Sequence, residues 1–280
     1  MNMSTVYHRT VKQRPIWVVG ILTMPHARKV RWGTSHIMKP YVDWFESRGI
    51  RVLPIPFDTT EHEAYIHRVH AIFIPGGDTE FVLRNRAFMR SVRRFIELSL
   101  VPSEHGVPIW GTCFGMEAIL AVIGGLSSFG PYPAHGLTPI HITDEGRSSR
   151  LLSGFTKKQL HALEHGRSTA QNHEFGISVA ELHANPHLRR IFSVVATAVD
   201  ENGNEYVAAV ESRFFPIFGV MWHPERQRSG GAFADAFLRE IKRGRPLLSS
   251  SPVSPRLSSV LKAHPCIQFS ELKDQLCYFF

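Results

Sequence analysis

Short, near-continuous apolar runs alternate with longer amphipathic stretches from Ile16 onward. Ile16 to Leu22 (IWVVGIL) has the unbroken apolar character of a strand covered on both faces. Residues 50–56 (IRVLPIP), 71–77 (AIFIPGG) and 107–111 (VPIWG) read as further strands, the second of these ending in the turn Gly76-Gly77. Between them the apolar positions shift to helical spacing. Ile37, Tyr41, Trp44 and Phe45 predict a helix over 37–47, with Pro40 tolerable only in its first turn and Gly49 as its stop. Glu61 to Val69 reads as a short helix. Phe81 to Leu100 reads as a long one with Arg and Glu on its wet side, and Met116 to Ile123 as a buried helix ended by Gly124-Gly125.

Strands alternating with helices imply right-handed crossovers and a mostly parallel sheet with helices on both faces. The second half departs from that rhythm. The runs 191–199 and 205–211 flank DENGN, and Asn202-Gly203 is a hairpin signal. Residues 216–222 (PIFGVMW) give another strand, and Gly231 to Lys242 a closing amphipathic helix. The expected fold is therefore α/β: a three-layer arrangement with a mostly parallel central sheet, plus antiparallel strands added late.

Composition narrows the class without naming a function. The 280 residues, 43% hydrophobic and 20% charged, suit one large domain or two small ones and exclude collagen-like, coiled-coil and disordered chains. No apolar run approaches the roughly 18 residues of a membrane span. Residues 1–14 are polar and basic with no apolar core, so no secretory signal is recognisable. Residues 15–243 hold the expected domain. Residues 244–280 open as a Ser/Pro-rich tail, and their last stretch carries apolar residues that either dock on the body or bind elsewhere. Cys113, Cys266 and Cys277 are too few and too odd for a disulfide framework or a cysteine-rich zinc site. Lys+Arg number 32 against 24 Asp+Glu; the excess is scattered, so it favours anionic substrates only weakly and marks no nucleic-acid patch.

Candidate chemistry concentrates at Gly111-Thr112-Cys113-Phe114-Gly115, between a strand and a helix. This is the nucleophile-elbow pattern with Cys in place of Ser. A helix N-terminus there is expected to lower the thiol pKa and to offer the Phe114 N–H to an oxyanion. A thiol nucleophile needs a base that also protonates the leaving amine. Of 16 histidines, His223 stands out because it closes GVMWHPE just after a buried-looking strand. Glu225, two positions later, is placed to hold its tautomer.

These motifs, with PIWVVGIL, YVDWFESRGIRVLPI, FIPGGDTEF, GTCFGMEAI and QNHEFG, resemble the class I glutamine amidotransferase-like superfamily, whose fold is flavodoxin-like. Within it the chain is similar to the gamma-glutamyl hydrolases, a cysteine peptidase family, over about residues 15–243. The resemblance implies Cys113 as nucleophile, His223 as general base and acid, Glu225 as its orienting partner, and an oxyanion hole from Phe114 and the Gly76-Gly77 turn. It also implies that His173, Glu117 and Tyr41 bind substrate. Met38-Lys39-Pro40 before Tyr41, and Asn172 before His173, depart from the family pattern. The implied reaction is hydrolysis of γ-glutamyl bonds, most characteristically of folylpoly-γ-glutamates, with no metal and no organic cofactor. The implied partner is a small-molecule substrate rather than nucleic acid or membrane, and a homodimer is compatible with the family. Two other readings remain: a glutaminase passing ammonia to a partner synthase, and a non-catalytic binding protein on the same fold.

Overall fold

The computed structural model describes residues 16–100, 106–244, 261, 264, 266–269 and 275–280. The polar segment 1–14 and the Ser/Pro-rich part of the tail lie outside the described residues. With strands numbered in chain order, the central sheet holds β1 (Trp17–Leu22), β4 (Ile50–Ile55), β5 (Ala71–Ile74), β6 (Ile109–Thr112), β8 (His141–Ile142), β10 (Phe192–Val199), β11 (Glu205–Ser212) and β12 (Ile217–Val220). Their order is β4-β1-β5-β6-β12-β11-β10-β8. The first five in that order run parallel; β11, β10 and β8 continue the sheet antiparallel. This is the expected α/β architecture with its late antiparallel addition.

The parallel strands are buried because helices cover both faces. Val18, Val19, Ile21, Ile72, Phe73, Ile74, Ile109 and Trp110 are all fully shielded from solvent. Each such apolar side chain contributes about 1.5–3 kcal/mol relative to exposure, so the sheet centre sets the position of everything at its ends. The 200–204 turn joins β10 to β11, with the Asp200 carboxylate accepting from the N–H groups of Asn202 and Asn204.

Two helix boundaries differ from expectation. The helix foreseen from Ile37 begins at Lys39, and Ile37 instead belongs to β3 (Gly33–Met38). Its backbone pairs with Tyr278 in β14 (Gln275–Phe279), a partner that local spacing cannot reveal. The long helix foreseen over Phe81 to Leu100 is two helices, Thr79–Leu83 and Arg86–Leu100. Asn85 separates them and its side chain accepts from the Phe88 N–H, restarting the helix.

Two smaller sheets were not foreseen. β7 (Gly130–Thr138) pairs with β9 (Thr169–Gly176). The other sheet, ordered β13-β14-β3-β2, joins the hairpin of β2 (Met24–Val30) and β3 to β13 (Cys266–Phe269) and β14. The end of the chain is thus docked on the body. Phe279 is fully buried, and its ring stacks on His26 with centroids 5.4 Å apart.

Candidate active site

β6 ends at Thr112 between β5 and β12, and a helix starts at once at Phe114. The chain must reverse within one residue. Cys113 does so with φ 55° and ψ −119°, and among the described residues no other non-glycine has a positive φ. Such a conformation costs about 1–3 kcal/mol and persists only when its surroundings over-determine it. Here the Cys113 N–H is tied to the Val220 carbonyl at 2.7 Å. Gly115 completes the elbow by necessity: a Cβ there would stand 2.0 Å from the Ile74 oxygen.

His223 follows β12, and its N–H donates to the Ala170 carbonyl at 2.8 Å. Its Nδ1 lies 2.7 Å from Glu225 Oε1, and the Glu225 side chain is wholly buried. A carboxylate only accepts, so Nδ1 is the donor of this pair and Nε2 is the nitrogen a neutral ring would offer as a base. Nε2 is buried without a hydrogen-bond partner. Cys113 and His223 meet at Gly76: a Cβ on that glycine would lie 3.2 Å from the Cys113 Cβ, 3.0 Å from the His223 Cε1 and 2.9 Å from the Tyr41 hydroxyl. Both residues line one cavity of about 340 Å³. The structure therefore brings together the elbow cysteine, the imidazole and its carboxylate from distant parts of the chain.

The remaining expected residues take different places. Gly77 lines the cavity. Gly76 lines it too, and its N–H donates to the Tyr41 hydroxyl at 3.0 Å. Tyr41, Glu117 and His173 stand behind the cavity rather than on its wall. Tyr41 is fully buried, with its hydroxyl 3.4 Å from His223 Nδ1. Glu117 is buried beneath the elbow and accepts from the Thr79 hydroxyl at 2.5 Å. His173 donates from Nδ1 to the Phe175 carbonyl at 3.0 Å and accepts at Nε2 from the Tyr206 hydroxyl at 3.3 Å. Tyr41 and His173 are engaged in internal hydrogen bonds, whereas Glu117 uses one carboxylate oxygen on Thr79 and leaves Oε1 buried without a hydrogen-bond partner.

Burial also reverses the expected thiol acidity. It pushes the Cys113 thiol up to about 12, reinforced by the nearby Glu117 carboxylate, while the Phe114 N–H and the Arg226 charge act in the opposite direction. Loss of water outweighs one helix N-terminus. The thiol rests protonated, 3.8 Å from the Asn172 carbonyl. Burial likewise raises Glu117 to about 7 and lowers His173 to about 4.

Among the wall residues that sequence reasoning missed are His26 and His36 from the β2–β3 hairpin, and Arg226. The histidine rings stack with centroids 4.8 Å apart, and burial lowers His36 to about 3. Arg226 had a signal, being a cation adjoining the orienting glutamate; the hairpin histidines had none. Among the described residues no group of three or more His, Cys, Asp and Glu is arranged to hold a metal ion.

The sequence profile described as "Glutamine amidotransferase class-I" matches residues 36–238. Gamma-glutamyl hydrolase of Homo sapiens is 30% identical over 226 residues, covering 78% of this chain and 70% of that protein. The chain belongs to the gamma-glutamyl hydrolase family. Gamma-glutamyl hydrolase B of Dictyostelium discoideum is 28% identical over 225 residues, again 78% of this chain. The chain spans 64% of that relative's length. The solved structure of a putative GMP synthase component from Thermoplasma acidophilum superposes with a TM-score of 0.57. At 16% identity, over 82% of this chain and 96% of that one, the likeness is one of fold. In this gamma-glutamyl hydrolase family member the elbow, His223 and Glu225 all stand at the ends of central-sheet strands, where open α/β sheets place their ligands.

Proposed function

We propose that this chain hydrolyses γ-glutamyl bonds, with folylpoly-γ-glutamates as the substrate class, through a γ-glutamyl thioester on Cys113. The observation that carries the reading is the shared cavity: a cysteine on a strained elbow and an imidazole with an unpartnered Nε2 both press on Gly76.

The protonated thiol requires that its proton leave as the sulfur attacks. His223 Nε2 takes that proton while Sγ bonds to the γ-carbonyl carbon. The oxyanion forms against the Phe114 N–H, which already reaches the sulfur, and the N–H of Gly77. Imidazolium charge is stabilised by Glu225 at 2.7 Å. His223 then returns the proton to the leaving amine, the C–N bond breaks, and the thioester remains. Water, deprotonated by the same Nε2, attacks the thioester and releases the carboxylic acid and the thiol. Tyr41 and Glu117 act from behind as supports of the Gly76 turn and the elbow helix.

Mass-spectrometric analysis of products from pteroylpentaglutamate tests the reading. Shortened folates with wild-type protein and none with Cys113→Ala are expected. Full activity in Cys113→Ala overturns it. Ammonia from free glutamine without shortening of the pentaglutamate would favour the glutaminase reading, and binding without turnover the non-catalytic one.

A further inference from the structure

Arg226 closes the short 3₁₀ turn Pro224–Arg226 that also carries Glu225, and it lines the cavity beside Cys113 and His223. Its Nε stands 3.6 Å from Glu225 Oε1, beyond hydrogen-bonding distance, and that oxygen is already committed to His223 at 2.7 Å. Its side chain is 27% exposed, whereas that of Glu225 is fully buried. Among the described residues the cavity wall carries no other lysine or arginine. The one carboxylate on that wall, Asp78, is occupied with the Phe81 N–H at 2.8 Å. A planar guanidinium thus shares the cavity wall with Cys113, its ion-pair contact being the Glu225 oxygen at 3.6 Å that His223 already holds, and its fork is suited to bidentate pairing with a carboxylate. The positive charge is felt at the site itself, since Arg226 favours the ionised forms of both Cys113 and Tyr41.

We propose that Arg226 is a specificity-determining residue, receiving an α-carboxylate of the glutamyl chain beside the scissile bond; where that carboxylate is the leaving residue's, it also selects γ-linked glutamate over uncharged γ-amides. This rests on the γ-glutamyl hydrolase reading. The carboxylate belongs either to the glutamyl residue acylating Cys113 or to the one leaving. The two share their chemistry and separate by experiment.

Pteroylpentaglutamate is titrated calorimetrically into Cys113→Ala and into Cys113→Ala/Arg226→Gln. Two ligands follow in which the α-carboxylate on the acyl side, or on the leaving side, of the scissile bond is a carboxamide. Loss of one charge-assisted pair predicts a roughly 10- to 100-fold weaker affinity in the double variant. One of the two amides should show the same loss on Cys113→Ala and no further loss on the double variant, which identifies the carboxylate. With Cys113 present, Arg226→Gln should raise KM by the same factor with kcat within a few-fold, and Arg226→Lys should recover part of it. A role exerted through Glu225 would lower kcat equally on every substrate, and that result overturns the proposal, as does unchanged affinity in the double variant. The two readings fail separately. Arg226-dependent binding without wild-type cleavage removes the hydrolase and keeps the subsite, whereas cleavage with unchanged KM in Arg226→Gln removes the subsite and keeps the hydrolase.

Discussion

Nδ1 of His223 lies 2.7 Å from Oε1 of Glu225, a carboxylate with no solvent exposure, while Nε2 of the same ring is buried and without a partner. One nitrogen is fixed as donor and the other is left as base. Replacing Glu225 with Gln keeps the shape but removes the charge that stabilises the imidazolium. The expected outcome is a fall in kcat of about 100- to 10,000-fold with KM little changed, read from initial rates on a defined polyglutamate. A loss below about 10-fold would mean that the pair does not orient the base.

The Cys113 thiol, pushed up to about 12, is a resting thiol at neutral pH. Iodoacetamide should therefore label Cys113 slowly at pH 7, with the rate climbing towards alkaline pH. Labelling is followed by intact mass, with Cys113→Ala as the blank. Rapid alkylation at pH 6 would show a standing thiolate and refute the proton-coupled attack.

Strain at the elbow has its own signature. Cys113→Ala keeps a Cβ at φ 55°, whereas Cys113→Gly does not. The glycine variant should be the more stable of the two by about 1–2 kcal/mol. Urea denaturation of both variants measures the difference, and equal stabilities would mean an unstrained elbow.

Buried titratable groups make stability pH-dependent with opposing signs. Glu117 rises from 4.5 to about 7, so its ionisation opposes folding: the penalty is absent below pH 4.5, grows as pH rises, and is complete above 7. His173 and His36 fall from 6.5 to about 4 and about 3, so their contribution is lost as pH drops below 6.5. Glu117→Gln should stabilise the protein above pH 7 by about 3 kcal/mol and change nothing below pH 4.5. Thermal unfolding from pH 4 to 8 checks both the size and the sign.

Phe279 lies 0% exposed between the hairpin histidines and Trp32, 5.4 Å from the His26 ring centroid and 5.6 Å from that of Trp32. Phe279→Ala should cost about 3–5 kcal/mol and raise KM by loosening the wall that His26 and His36 form. Unchanged stability in denaturant titration would show that the docked strand is dispensable.

Much of the candidate site's geometry was legible because it is local. Gly111 to Gly115 encodes its own reversal, and His223 and Glu225 sit two positions apart on one short turn. The parallel strands announced themselves as unbroken apolar runs. The β2–β3 hairpin did not, since its pairing depends on β14, more than two hundred residues away in the chain. Ile37 was misplaced for the same reason: helical spacing with Tyr41 and Trp44 is accidental when the backbone is held in a sheet.

The order of covalent neighbours by itself determined the sheet's parallel core, the cysteine elbow and the imidazole–carboxylate pair, because each rests on periodicity or on residues a few bonds apart. Only the folded chain decided that the Gly76 N–H goes to Tyr41, that Glu117 and His173 turn inward, and that the thiol keeps its proton. Desolvation and long-range hydrogen bonding control those outcomes, and both depend on which surfaces the tertiary structure excludes from water.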